Sequence, residues 1–227
     1  RVRAVNGIGE GPASGDIVPV VFTPVPPPNT CAAPGALVIN DVKSDGTDDD
    51  AAPNIPALDA RVNIKQLYIA EPYFTDGINR LLFTLQLAPS ATAGAPANSQ
   101  WFIIWNRLYP DASFDRFYVA MTSDSTGAVH FEYGKFGVPL DPTAPNVNAN
   151  TPVKLGDATG SYNSATGVLT ITLPTTKAES IQPGQPLNGL NVRTFFNQPN
   201  TGQKGQRTAS DITGNGSYVL NGNASCH

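Results

Sequence analysis

The chain has 227 residues, of which 40% are hydrophobic and only 14% are charged, and its formal net charge is −4. This length is ample for a sizeable core, and the low charged fraction leaves Asn, Gln, Ser, Thr and Gly to form the polar surface, which favours an extracellular β protein over a cytosolic enzyme. No dense basic patch is present to bind nucleic acid, and no apolar run approaches the roughly 18 residues that span a bilayer.

The first 23 residues alternate with the two-residue period of a β-strand, pass through a glycine-rich turn, and continue into a second predicted strand over residues 16–22. The stretch RVRAVNGIGEGPAS resembles the end of a fibronectin type III domain, which implies that residues 1–23 are its last two strands. A strand pair is not stable alone, so we expect it to pack on this chain or to add strands to a neighbouring copy, giving a homo-oligomer.

A proline-rich spacer, PVPPPNT at residues 24–30, follows and predicts a stiff, extended domain boundary. Cys31 and Cys226, the two cysteines of the chain, lie at the borders of the remaining region. Their placement predicts a disulfide that joins the ends of one domain over residues 31–227; two buried free thiols are the alternative.

Residues 31–227 predict an all-β fold, a β-sandwich of jelly-roll or immunoglobulin-like type that follows the short N-terminal strand pair. Turn sequences such as Thr75-Asp76-Gly77 separate short apolar runs, and no helical pattern exceeds about two turns. The predicted strands are residues 37–40, 62–70, 80–87, 100–108, 116–122, 129–136, 168–173, 187–196 and 217–221, with a hairpin over 162–168.

The same region resembles a domain found near the C-termini of large secreted bacterial proteins, often directly after fibronectin type III domains. The matching pieces are DVKSDGTDDD, VNIKQLYIAEPYFTDGINRLLFTLQLAP, NSQWFIIW, RFYVAMT and GSYVLNGNASC. The layout is also loosely similar to carbohydrate-binding family 9 and DOMON-type sandwiches. These resemblances imply a β-sandwich in a secreted or cell-surface setting, and no activity follows from them.

A run of carboxylates with a turn glycine, DVKSDGTDDD at residues 41–50, predicts a Ca²⁺ site, because a hard cation relieves the repulsion among close carboxylates. The spacing differs from that of an EF-hand loop, and a solvated acidic loop is the alternative. The expected ligands are Asp41, Asp45, Asp48, Asp50 and Asp59.

Aromatic residues in the predicted strands could form a platform on which sugar rings stack, provided that the rings are exposed; core packing is the alternative for each. The candidates are Trp105, Tyr109, Tyr118 and Tyr133. The two histidines are His130 and the terminal His227; a catalytic triad would have to use His130, and no G-x-S-x-G elbow is present.

These features predict a secreted, non-catalytic accessory module for adhesion or carbohydrate binding, stabilised by calcium, whose partner is a polysaccharide or a cell-surface component. One alternative is a structural subunit of an extracellular filament or lattice that is assembled by donation of the N-terminal strands. A further alternative is an accessory domain of a secreted hydrolase.

Overall fold

The computed structural model describes residues 5–6, 9–10, 29–41, 59–109, 111, 113–137, 151–197, 209–224 and 226. Two short 3₁₀ turns, Ala60–Val62 and Thr175–Ala178, accompany the strands in this part of the chain. The strands are β1 (Val5–Asn6), β2 (Gly9–Glu10), β3 (Ala36–Asn40), β4 (Ile64–Ala70), β5 (Arg80–Leu87), β6 (Gln100–Leu108), β7 (Phe114–Ser123), β8 (Val129–Phe136), β9 (Pro152–Asp157), β10 (Thr159–Asn163), β11 (Val168–Pro174), β12 (Pro186–Phe195), β13 (Asp211–Ile212) and β14 (Gly216–Val219).

Twelve of these strands form two antiparallel sheets that pack face to face, which confirms the predicted β-sandwich. The five-stranded sheet has the order β10-β11-β5-β4-β3. The seven-stranded sheet has the order β13-β12-β6-β7-β8-β9, and β14 also pairs with β12. The hairpin predicted over residues 162–168 is present, because Asn163 pairs with Val168 where β10 turns into β11.

The two sheets approach each other at both of their sides. On one side a single residue, Ala158, separates β9 of the seven-stranded sheet from β10 of the five-stranded sheet. On the other side β14 lies against β3, where a Cβ added to Gly216 would stand 2.9 Å from the Val38 carbonyl oxygen.

The core between the sheets is built from alternate residues of the central strands, as the two-residue period of a strand requires. Trp101 and Trp105 of β6 face Phe83 and Leu85 of β5 across this core. A second, smaller apolar cluster lies on the opposite face of the seven-stranded sheet and contains Phe102, Ile104, Tyr118 and Ala120, with Phe136 and Phe195 packed against it. Both faces of β6 and β7 are therefore covered.

The predicted disulfide is confirmed: Cys31 and Cys226 are bonded, with their Cα atoms 5.1 Å apart. In the N-terminal region the structure describes only β1 and β2, which pair with each other as a separate two-stranded sheet, and β2 lies where a glycine-rich turn was predicted. The predicted strand at 16–22 and the spacer up to residue 28 lie outside the described residues. Among the residues that are described, no helix is long and apolar enough to cross a membrane.

Candidate functional site

Three of the four aromatic residues that the sequence offered as a sugar platform are buried. Trp105 has no exposed surface and is stacked between Phe83 and Phe117, with ring centroids 5.5 Å and 5.9 Å away. Tyr133 belongs to the same inter-sheet core. A sugar can stack only on an exposed ring face. Trp105 and Tyr133 therefore pack in the core, which is the alternative that the sequence left open.

Tyr118 lies in the second apolar cluster, on the outer face of the seven-stranded sheet. Its ring meets Phe102 and Phe136 edge-on at 5.1 Å and 5.3 Å, and its hydroxyl donates a hydrogen bond to Glu132 at 3.1 Å. Burial, together with the nearby Glu132 carboxylate, raises the pKa of Tyr118. The ring is buried and has no face available to a ligand.

Tyr109 is half-buried and belongs to a network of charged side chains at the end of the seven-stranded sheet. Its hydroxyl lies between two carboxylates, 2.8 Å from Asp115 and in contact with Glu179, and shares its single proton between them. The Lys135 ammonium contacts the same two carboxylates, at 2.7 Å from Asp115. Arg107 donates to the Ala178 carbonyl at 2.8 Å, so the network attaches the segment after the 3₁₀ turn Thr175–Ala178 to the sheet.

The network neutralises its own charges, because two cations face two carboxylates. Burial by itself would raise the pKa of Asp115 and of Glu179, but hydrogen bonds from Lys135 and Tyr109 outweigh it and lower both values. Burial also acts to lower the pKa of Lys135, and the two carboxylates outweigh it and raise that pKa. Asp115, Glu179 and Lys135 are thus held in their charged forms, which suits a structural tie better than proton transfer.

Of the predicted Ca²⁺ ligands the structure describes Asp41 and Asp59, whereas Asp45, Asp48 and Asp50 fall in the part of the chain that it does not describe. Both carboxylate oxygens of Asp59 accept hydrogen bonds from Arg61, at 2.9 Å and 2.7 Å, and these bonds lower the pKa of Asp59. A cation at Asp59 would meet the guanidinium, so this residue fits a calcium shell poorly. No cluster of three or more metal-ligating side chains occurs among the described residues.

Besides single exposed rings such as Phe114, an adjacent pair of exposed aromatic residues lies in the loop between β4 and β5, residues 71–79, which we call the aromatic loop. Tyr73 is 42% exposed, Phe74 38% and Ile78 40%. All three are large apolar side chains that a solvated loop would not need. Their exposure marks this loop as a candidate binding surface.

A stacked pair of side chains stiffens the aromatic loop. The Arg80 guanidinium lies over the Phe74 ring, 4.4 Å from its centroid, in a cation–π contact. Asp76 accepts hydrogen bonds from Arg80 at 2.9 Å and 2.5 Å and from the Ile78 amide at 3.0 Å. Hydrogen bonds from Arg80 lower the pKa of Asp76 to about 2.

Hydrogen bonds also fix both ends of the aromatic loop. Glu71, at its start, is only 3% exposed, and its carboxylate accepts bonds from the Tyr218 hydroxyl, the Asn221 amide and the Gly222 amide at 2.6–2.8 Å. Asn79, at its end, accepts from the Thr175 amide at 2.9 Å. The loop is therefore held in place before any ligand arrives, which reduces the entropic cost of binding.

Sequence reasoning missed Tyr73 and Phe74, although a signal was available. The two rings directly precede the turn Thr75-Asp76-Gly77, which the sequence identifies. Adjacent aromatic residues at the entry to a tight turn cannot both point into a core, because the chain is about to reverse at the surface.

The three resemblances drawn from the sequence stay predictions, because the comparisons with known proteins found no match: no protein-family model, no curated protein and no solved structure matches this chain. The function therefore has to be argued from the aromatic loop and its supports.

Proposed function

We propose that this chain is an extracellular, non-catalytic module that binds a neutral polysaccharide through the aromatic loop. The observation that carries the proposal is the adjacent, exposed pair Tyr73 and Phe74 in a loop fixed at both ends. An aromatic ring presents a negative face, against which the weakly positive C–H groups of a pyranose stack.

The charges of the loop favour a neutral ligand. Asp76 and Arg80 neutralise each other in a bidentate ion pair, so this pair adds no net charge to the loop. The net charge of −4 disfavours acidic polymers such as nucleic acids or sulfated glycans. Thr75 directly follows the two rings in the sequence and supplies a hydroxyl of the kind that orients a sugar once it is stacked.

An extracellular location is supported by the Cys31–Cys226 disulfide, since such bonds persist in oxidising compartments and are rare in the cytosol. A charged fraction of only 14% is typical of the same class of protein. The non-catalytic assignment rests on the sequence, which offers two histidines and no nucleophile elbow.

The proposal is tested by native affinity electrophoresis in gels that contain soluble neutral polysaccharides, with pull-down on cellulose and chitin for insoluble ones. We expect retention of the wild type on at least one neutral glycan. Tyr73→Ala and Phe74→Ala should each weaken binding roughly fivefold, because each removes one stacking surface worth about 1 kcal/mol.

The matched control is Val129→Ala, which removes an exposed apolar side chain at the start of β8, at the opposite end of the sandwich. This variant should bind like the wild type, and thermal unfolding should show that all three variants remain folded. Failure of the wild type to bind any glycan of the panel, or full binding by both loop variants, would refute the proposal.

A further inference from the structure

The disulfide joins the two borders of the sandwich at almost a single point. Cys31 precedes β3 and Cys226 follows β14, and the bond closes a ring with a sequence separation of 195. All twelve strands of the two sheets lie within this ring. A force that enters the chain before Cys31 and leaves it after Cys226 therefore meets a covalent bond before it meets any strand of the sandwich.

We propose that the Cys31–Cys226 disulfide carries mechanical tension past the β-sandwich, so that a pull on the two ends of this chain leaves the sandwich folded. Chains that share a load in parallel divide it according to stiffness, and a covalent path 5.1 Å long between the Cα atoms is far stiffer than a hydrogen-bonded sheet. The strands then bear almost none of the applied tension. This inference goes beyond the proposed function and holds whether or not the aromatic loop binds a glycan.

Glu71 provides a second, non-covalent connection at the same place. Its amide donates to the Thr30 carbonyl at 2.7 Å, next to Cys31. Its carboxylate holds the C-terminal segment through Tyr218, Asn221 and Gly222. When the disulfide is reduced, the hydrogen bonds of Glu71 connect both borders of the domain to the end of β4. Tension therefore acts on these hydrogen bonds first.

The position of this connection also bears on the aromatic loop. Glu71 is the first residue of that loop, and the Pro72 carbonyl accepts a hydrogen bond from the Asn223 side chain at 3.4 Å. Separation of the two borders would pull directly on the start of the loop. With the disulfide intact, Tyr73 and Phe74 keep their arrangement in a chain under tension.

The experiment is single-molecule force spectroscopy on the full chain with handles at residues 1 and 227. For the oxidised protein we expect no unfolding step from the sandwich at any force that the handles withstand. Reduction with dithiothreitol should produce a step of about 700 Å of contour length, since the ring has a sequence separation of 195 and an extended residue spans up to roughly 3.6 Å.

Two further proteins make the test specific. The double variant Cys31→Ser, Cys226→Ser should unfold like the reduced wild type; if it fails to fold, reduction of the folded wild type in place gives the same information. Glu71→Gln should lower the unfolding force of the reduced protein and leave the oxidised protein without a step. A step near 700 Å in protein shown by intact mass to be oxidised would overturn the proposal, and so would a reduced sandwich that stays folded at the same forces.

Discussion

Single residues in this sandwich show two ways to accommodate a buried or half-buried charge. The Glu71 carboxylate is satisfied by three neutral donors from one segment, two of them backbone amides. Lys135 is instead held by the two carboxylates of Asp115 and Glu179. Either arrangement avoids the cost of an unpaired buried charge.

The network around Lys135 predicts a pH-dependent contribution to stability. Asp115 and Glu179 have lowered pKa values in the folded state, so the stability they contribute is present above their unfolded pKa values, near 4, and is lost as the pH falls through their folded values. Lys135→Met should therefore lower the free energy of unfolding by about 1 kcal/mol at pH 7 and by less at pH 3. This figure already allows for the partial exposure of the carboxylates, which weakens an ion pair.

The measurement is urea unfolding of wild type and variant at several pH values between 7 and 3. Lys177→Met is the matched control, because Lys177 is an exposed residue of the nearby 3₁₀ turn Thr175–Ala178. It should change the unfolding free energy little at any pH. A Lys135→Met penalty that does not shrink on acidification would contradict the linkage.

Whole elements of the sandwich depend on turns that bring two strands into register. The turn between β10 and β11 packs on the end of β5, where the Leu87 amide donates to the Gly167 carbonyl at 2.7 Å. Gly167 has φ +70, and a Cβ built there would stand 2.2 Å from the Leu87 carbonyl oxygen. This glycine serves both the left-handed turn and the close approach of two strands.

Substitution separates these two roles. Gly167→Ala should destabilise the protein by about 3 kcal/mol, because it adds a steric conflict with β5 to the left-handed strain. Gly94→Ala is the matched control: Gly94 has φ +74 with open space around it, so only the strain of about 1 kcal/mol remains. Equal losses in urea unfolding would show that the approach to Leu87 is unimportant.

At the scale of the whole molecule, the acidic segment connects two strands of the five-stranded sheet. Asp41 directly follows β3, and its amide donates to the Lys65 carbonyl on β4 at 2.8 Å. Asp59 accepts from the Arg61 amide at 2.9 Å at the 3₁₀ turn before β4. A cation held by the segment between them would link these two strands a second time.

Calcium should therefore raise the melting temperature by roughly 5–10 °C at saturating concentration, because binding to the folded state alone at a hundred times Kd contributes about 2.7 kcal/mol. Excess chelator should remove the increase, and so should Asp45→Asn with Asp48→Asn. Asp59→Asn should lower stability but keep the calcium response, since Arg61 already occupies that carboxylate. An identical melting curve with calcium and with chelator would end the calcium hypothesis.

Much of the strand layout could be predicted from the sequence, because strand period and turn chemistry are local properties. Three predicted strands, 80–87, 100–108 and 129–136, match β5, β6 and β8 residue for residue. The border cysteines likewise pointed to the disulfide. Strand β9 was missed as an element, because Lys154-Leu155-Gly156-Asp157 at a sheet side lacks the apolar alternation that marks a half-buried strand.

The sequence by itself determined the sandwich, its turns and its covalent closure, whereas only the tertiary structure decided which aromatic rings meet solvent. The alternation of residues along β6 and β7 assigns their side chains to two faces of the sheet. It does not indicate that both faces are buried, as they are at Trp105 and at Tyr118. The surroundings of Glu71 come from residues 147–151 positions away. Burial and such contacts depend on how distant elements pack against each other, and no local pattern contains that information.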